Sequence, residues 1–125
     1  DAAAREWISG ALGDVHRFVM MVDGEVVGCC GLNKLDDLNR SANLGYWVRS
    51  DRAGNGYATT ATELVAEYGF AVTQLHRMEV IMSVRNEASR RVAEKAGAVY
   101  EGVARGALLL LGEFHDAHVW SFVDV

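Results

Sequence analysis

The feature that most constrains the fold is a stretch in the middle of the chain, LGYWVRSDRAGNGYATTATEL, from Leu44 to Leu64. It begins with a short apolar run, Leu44–Val48, whose aromatic pair is typical of a buried strand. Gly54-Asn55-Gly56 follows, and these residue types tolerate a positive φ. From Ala58 onward, apolar residues recur with helical spacing. These are Ala61, Leu64, Val65, Tyr68 and Val72. The stretch therefore predicts a strand, a glycine turn and a helix.

The glycine turn also suggests a function. Two glycines ahead of a helix leave its first N–H groups exposed and free of side chains, so an anion such as a phosphate can bind there. A tight turn without a ligand is the alternative, because Gly-x-Gly before a helix is not specific by itself.

Composition excludes several classes of protein. The 125 residues are enough for one domain with a core. The formal net charge of −5 argues against a nucleic-acid binder, which normally has a basic face. No apolar run approaches the ~18 residues of a membrane helix, and the N-terminus does not resemble a signal peptide. We therefore expect a cytoplasmic protein that binds neither nucleic acid nor membrane.

The two cysteines, Cys29 and Cys30, are adjacent in a strand-like run. Side chains alternate between the faces of a strand, so these two should not pair with each other. No metal-ligand spacing accompanies them. We expect reduced thiols and no metal site.

The remaining periodicity predicts a mixed sheet. Phe18–Val22 and Val26–Leu32 flank Asp23-Gly24, a strong hairpin signal, and 33–42 should be a loop or a distorted strand end. Met78–Val84 alternates like a strand. Further strands are expected at Val99–Val103, Ala107–Leu111 and Ala117–Val123, with Gly112–Asp116 as the last turn. A strand–helix–strand crossover among hairpin-linked strands indicates an α/β or α+β sandwich.

Two further helices are predicted. Apolar residues near the N-terminus share one helical face over 3–12. A second helix over 86–97 has Asn86 as its N-cap, Lys95 in its last turn and Gly97 as its C-terminal stop.

Several segments together resemble the GNAT N-acetyltransferase family, and within it the ribosomal-protein N-acetyltransferase subgroup, the RimJ/RimL-like enzymes. They are GYWV at 45–48, GNGYA at 54–58, NEASRRVAEKAG at 86–97, EGVARG at 101–106 and GEFHD at 112–116. The resemblance extends over nearly all of 18–123. It implies a mixed, mostly antiparallel twisted sheet with helices on both faces and splayed parallel central strands.

The resemblance also implies a single acetyltransferase domain over 1–125 that lacks the first strand and helix of the family fold. Those elements would form one wall of the acceptor pocket. The implied partners are acetyl-CoA as cosubstrate and an amine acceptor, with no metal, and homodimerisation stays open.

The family motif Gln/Arg-x-x-Gly-x-Gly/Ala corresponds to 53–58, so Ala53 departs from the usual long polar side chain, and Arg52 is a candidate to replace that contact. The resemblance implies that the backbone of Trp47 and Val48 pairs with the pantetheine arm. It implies the following acetyl-CoA contacts: Trp47, Val48, Arg49, Gly54, Asn55, Gly56, Tyr57, Ala58, Thr59 and Asn86. Tyr46 is the substrate-binding candidate. The alternatives are that Tyr46 and Trp47 are core aromatics and that the arginines are solvated.

Ser89 is the catalytic candidate. Many family members have a tyrosine seven residues after the asparagine that corresponds to Asn86, where it protonates the departing thiolate, but this chain has Ala93. The RimJ/RimL-like subgroup has a serine at the position of Ser89, which is suggested to serve the thiolate instead. Asn86 and Ser89 could equally be simple capping residues of the helix.

A general base is not evident from the sequence. Six residues qualify by type: Glu25, Asp36, Asp37, Glu113, His115 and Asp116. His115 and Asp116 are adjacent on a strand and should face opposite ways. His16, His76 and His118 are interpreted as ordinary surface or core residues.

The weakness of the base candidates favours an acceptor that deprotonates easily. An α-amine (pKa about 7.7–8.0) costs about 1 kcal/mol to deprotonate at pH 7, against about 4.6 kcal/mol for a lysine-type amine (pKa about 10.4). We therefore expect transfer to the N-terminal α-amine of a protein or peptide. The alternatives are a small-molecule acetyltransferase for a polyamine, aminoglycoside or amino acid, and a non-catalytic acyl-CoA-binding protein.

Overall fold

A computed structural model describes residues 10–12 and 15–124. Seven strands form one sheet in the order β1-β2-β3-β4-β5-β7-β6. The strands are β1 (Gly10–Leu12), β2 (Val15–Val22), β3 (Glu25–Asp36), β4 (Ser41–Val48), β5 (Arg77–Ser83), β6 (Val99–Leu110) and β7 (Glu113–Val123). The helices are α1 (Tyr57–Ala71) and α2 (Glu87–Lys95), and Ser50–Arg52 forms a single 3₁₀ turn. The predicted mixed, mostly antiparallel sheet is confirmed.

The central strands β4 and β5 are parallel and then separate. They pair only at Ser41 with Arg77, Ala42 with Met78 and Asn43 with Glu79. Beyond these positions β4 keeps its partner β3 as far as Val48. Among the described residues, no strand pairs with the edge of 44–48 that faces β5, which is the predicted splay.

Both described helices pack against the same face of the sheet. Alternate residues of the central strands, including Leu44, Val80 and Met82, join one buried cluster with Val65 of α1 and Ala93 of α2. The predicted α1 stripe is correct at Ala61 and Val65, but Val72 is 64% exposed, because the helix ends at Ala71.

The opposite face of the sheet is more exposed. Cys29 and Trp47 face this side from β3 and β4, and Trp47 is 58% exposed. Cys30 is buried on the helix side, and both thiols are free, as expected from the alternation. Burial raises the pKa of Cys30 to about 12.

The hairpin prediction is confirmed. Val22 pairs with Glu25 across Asp23-Gly24, whose φ values are both positive, 52° and 83°. The prediction of a distorted strand end is also correct. β3 continues to Asp36, but its pairing with β4 shifts between Asn33 and Asp36, where Lys34 has a φ of 53°.

Two boundary predictions are wrong. The last turn is Leu111-Gly112 rather than 112–116, because Glu113 and Phe114 already pair with Leu110 and Leu109. The N-terminal helix does not reach residue 12, since Gly10–Leu12 pairs with β2 as a strand. Residues 1–9, on which the rest of that prediction depends, lie outside the described residues.

Candidate active site

An open groove of about 360 Å³ lies where β4 leaves β5, between the starts of α1 and α2. Most of the candidate residues from the sequence line it. These are Tyr46, Trp47, Val48, Gly54, Gly56, Tyr57, Ala58, Thr59, Asn86 and Ser89. The groove thus unites two segments of the chain, 46–59 and 86–89, which the splayed sheet brings together.

The glycine turn forms the N-terminal end of α1. Gly56 is the N-cap residue in the left-handed region (φ 79°), and no side chain caps the helix. Gly54 also has a positive φ, 85°. A Cβ added at either glycine would meet no atom within 4 Å, so the space beside this backbone is open. Exposed N–H groups at a helix N-terminus beside open space can bind an anion by donating hydrogen bonds to it.

Tyr46 links β4 to α2 at the floor of the groove. Its hydroxyl donates to the Ser89 backbone carbonyl at 2.7 Å, and the Ser89 hydroxyl donates to the Tyr46 oxygen at 3.1 Å. Burial raises the pKa of Tyr46 above its ordinary value. The phenol therefore stays protonated and holds Ser89 in place.

Asn86 caps α2, as its sequence position predicts. Its Oδ1 accepts the Ser89 N–H at 3.0 Å. This bond uses the oxygen and leaves the Nδ2 donors of Asn86 for a ligand. The cap and a ligand contact are therefore compatible in one side chain.

Arg49 and Asn55 do not line the groove. The Arg49 guanidinium binds Asp51 at 2.7 Å, and Asn55 Nδ2 donates to the Arg52 carbonyl at 3.0 Å. The Arg49 guanidinium also donates to the Val26 carbonyl of β3 at 3.4 Å, so its described contacts lie outside the groove.

Three basic residues also line the groove: Arg52, Arg91 and Lys95. Arg52 was only a candidate to replace the contact that Ala53 lacks, and Arg91 and Lys95 were not predicted to line it. Arg52 also forms an ion pair with Glu25. Arg91 and Lys95 are four residues apart on α2, which places them on one side of the helix. The sequence does show that Arg91 and Lys95 share one side of the helix that begins after Asn86. Only the fold shows that this side of α2 faces the glycine turn.

The general-base candidates are dispersed. Asp36 caps its own turn by accepting from the N–H groups of Leu38 and Asn39, while Asp37 is exposed in the same turn. Asp116 accepts the Gly106 N–H at 2.8 Å. The His115 ring lies 2.9 Å from the Ser83 hydroxyl and 3.6 Å from the Glu113 carboxylate.

Within residues 10–12 and 15–124, no three His, Cys, Asp or Glu side chains are arranged to hold a metal ion. In the same part of the chain, no helix combines the length and apolar character needed to cross a membrane.

The family model for the acetyltransferase (GNAT) domain matches residues 1–99. The chain belongs to the GNAT acetyltransferase family. Its relatives in this family include a Bacillus subtilis (strain 168) protein named "Putative ribosomal N-acetyltransferase YdaF", 36% identical over 83% of this chain and 57% of the relative. They also include the spermidine N(1)-acetyltransferase of Escherichia coli (strain K12), 30% identical over 82% of this chain and 55% of the relative.

The GNAT fold is confirmed by solved structures. Mycobacterium smegmatis RimJ in complex with CoA-disulfide superimposes with a TM-score of 0.83 at 34% identity, over 89% of this chain and 54% of that one. The microcin C7 self-immunity acetyltransferase MccE, in complex with acetyl-CoA and AMP, gives 0.81 at 28% identity, over 89% of this chain and 62% of that one. The chain thus spans a little over half the length of the GNAT proteins it resembles.

Proposed function

We propose that this chain is an acetyl-CoA-dependent N-acetyltransferase that acts on a primary amine, the N-terminal α-amine of a protein or peptide. The observation that carries the proposal is the groove at the splay of β4 from β5. It joins an open glycine-lined helix N-terminus to an unpaired strand edge. A phosphate-bearing ligand with an extended, amide-containing arm fits both features.

The residues present suit acetyl-CoA. The N–H groups at the start of α1, beside Gly54 and Gly56, would bind the pyrophosphate, and Arg91 and Lys95 would add positive charge. The free edge of β4 at Trp47 and Val48 offers backbone groups to the pantetheine amides. The bound thioester supplies the acetyl group.

Ser89 would act at the sulfur end of this groove. Its hydroxyl is held by Tyr46 and can turn to donate a hydrogen bond to the departing thiolate. The tyrosine that many family members use corresponds to Ala93, which is fully buried here. A serine donor at Ser89 is therefore the available replacement.

The α-amine is the acceptor that needs the least assistance. At pH 7 its deprotonation costs about 1 kcal/mol, while a lysine-type or polyamine nitrogen costs about 4.6 kcal/mol. The relative named for ribosomal N-acetylation supports the same choice. Polyamine acetylation is the second candidate, because another relative is a spermidine acetyltransferase and the net charge of −5 suits a cationic acceptor.

A panel of acceptors tests the proposal. The protein is incubated with acetyl-CoA and either a peptide with a free N-terminus, the same lysine-bearing peptide with a blocked N-terminus, or spermidine. CoA thiol release and the mass of the product are measured. We expect acetylation at the free N-terminus only. Faster reaction of the blocked peptide or of spermidine contradicts the α-amine acceptor, and absence of CoA release with every amine contradicts an enzymatic function.

A further inference from the structure

The sheet carries a second polar cluster, which the proposed acetyl-CoA site does not use. His115 Nδ1 lies 2.9 Å from the Ser83 Oγ, and its Nε2 lies 3.6 Å from a carboxylate oxygen of Glu113. Ser83 is buried, and the His115 side chain is 14% exposed. The sequence does not reveal this arrangement, because Ser83 ends β5 while His115 and Glu113 begin β7.

The cluster lies on the face of the sheet opposite the helices. Ser83 pairs with Ala117, and alternation places His115 on the same side as Ala117. On β5, Met82 faces the helical core, so its neighbour Ser83 faces away. The next histidine on β7, His118, faces the helical side, where its Nδ1 lies 2.9 Å from the hydroxyl of Tyr100.

The register of the two central strands places the cluster beside the splay. Asn43 pairs with Glu79 in the parallel strands β4 and β5. Trp47 and Ser83 each lie four residues after one of these partners, so they are at the same level of the two strands. Both residues face away from the helices. Ser83 and Trp47 therefore lie on opposite sides of the gap between the strands, on the face opposite the two described helices.

We propose that His115 is the general base of the acetyl transfer, with Ser83 and Glu113 as positioning residues. An acceptor amine that enters from the face opposite the two described helices would reach the thioester through the splay and pass this cluster. This inference rests on the proposed acetyl transfer, but it does not depend on which amine is the acceptor.

The hydrogen-bond partners suit a ring that takes up a proton. The Ser83 Oγ already accepts the Arg85 N–H at 3.2 Å and can accept from Nδ1. The Glu113 carboxylate beside Nε2 is beyond normal hydrogen-bond distance. His115 also lines a small cavity together with Val84, Arg85, Phe114 and Asp116. A protonated ring would therefore donate from Nδ1 to Ser83, with the Glu113 carboxylate near Nε2 as a compensating charge.

The charged groups around His115 come from two segments, the end of β5 and the start of β7. Arg85 follows β5 and lies 3.9 Å from Glu113. Asp116 is next to His115 on β7, but its carboxylate binds the Gly106 N–H of β6. Glu113 is therefore the anion placed beside the imidazole.

The chemical step balances as follows. The amine nitrogen forms a bond to the thioester carbonyl carbon, and the proton it loses passes to Nε2 of His115. The C–S bond then breaks, and the sulfur leaves with its electron pair as a thiolate, which the Ser89 hydroxyl stabilises with a hydrogen bond and which takes a proton from solvent in the groove. His115 returns its proton to solvent after the product leaves.

His115→Gln tests the proposal, because glutamine is polar and of similar size but is no base at neutral pH. The kcat for the peptide α-amine should fall by about 100-fold or more, while the KM for acetyl-CoA stays unchanged. The loss should be under about ten-fold with methoxyamine, whose nitrogen is unprotonated at neutral pH and needs no base to become neutral. Added imidazole should restore part of the activity of His115→Ala, which a purely structural histidine would not produce.

His118→Gln is the matched control, because it removes a hydrogen-bonded histidine from the same strand on the other face, and its kcat should be unchanged. Ser83→Ala should lower kcat without preventing folding, as thermal unfolding would show. An undiminished kcat in His115→Gln, or equal losses with peptide and methoxyamine, overturns the role of His115 alone. If spermidine is acetylated in place of peptides, the same comparison is made with spermidine, and only the acceptor proposal fails. If the wild type releases no CoA with any amine, both proposals fail.

Discussion

Tyr46 and Ser89 are 43 residues apart in sequence, and two hydrogen bonds join them: Tyr46 donates to the Ser89 carbonyl at 2.7 Å and accepts from its hydroxyl at 3.1 Å. Tyr46 belongs to the strand that splays from β5, and Ser89 belongs to the first turn of α2. This pair fixes the two walls of the groove relative to each other. Both side chains line the groove, so the Ser89 hydroxyl is held at its wall.

Ser89→Ala should lower kcat by about ten- to a thousand-fold while the affinity for acetyl-CoA stays nearly constant. The reason is that a hydrogen bond to the thiolate forms only as the sulfur leaves. Steady-state kinetics and calorimetry measure the two quantities. Ser121→Ala, which removes a serine hydroxyl bonded to Glu101 away from the groove, is the control. A loss of affinity with unchanged kcat would assign Ser89 to binding instead.

Gly56→Glu should weaken CoA binding by about 100-fold or more, because a carboxylate would occupy the space proposed for the phosphates. Isothermal calorimetry measures the affinity. Gly97→Glu is a matched control: this glycine follows α2 with a φ of 93°, open space surrounds it, and it does not line the groove. Both variants carry the same backbone strain, about 1–2 kcal/mol. Equal affinities in the two folded variants would contradict phosphate binding at this turn.

Arg91→Ala should reduce CoA affinity by up to about five-fold, since an exposed charge pair contributes up to about 1 kcal/mol. The loss should shrink as salt is added, because exposed charges are screened. Arg90→Ala is the control, because Arg90 is bound to Glu87 and Glu94 and does not line the groove. The CoA affinity of both variants is measured at two salt concentrations. An equal loss of affinity in the two variants would exclude a specific role for Arg91.

Glu101→Gln should flatten the loss of stability in acid. The Arg77 guanidinium, assisted by the Ser121 hydroxyl, lowers the pKa of Glu101 to about 2, against about 4.3 in an unfolded chain. A lowered pKa stabilises the fold above about pH 4.3, and this contribution disappears as the pH falls towards 2.

Because Glu101 is partly exposed, its contribution at pH 7 should not exceed about 1 kcal/mol. Urea unfolding between pH 2 and 7 measures it, with Glu67→Gln on the exposed side of α1 as the control. If wild type and Glu101→Gln lose stability in parallel over this range, the ion pair with Arg77 contributes nothing.

Local patterns predicted most of the elements. Asp23-Gly24 determines its hairpin because both residues accept a positive φ, and Asn86 with Gly97 delimits α2 because cap and stop are properties of single residues. The alternation of 78–84 and the helical spacing after Ala58 also need no distant partner. The errors fall where local signals are ambiguous. Leu111 and Gly112 form the last turn, although the polar character of residues 112–116 predicts a longer loop.

The sequence by itself determined the strand, the glycine turn and the helix from Leu44 to Leu64, and through them the groove at the start of α1. Only the tertiary structure decided which distant residues share that groove and the opposite face. Tyr46 meets Ser89, Arg91 and Lys95 face the glycine turn, and Ser83 meets His115 because strands β4, β5 and β7 lie side by side. Such contacts depend on strand order and register, which pairing between distant segments sets and which no local periodicity encodes.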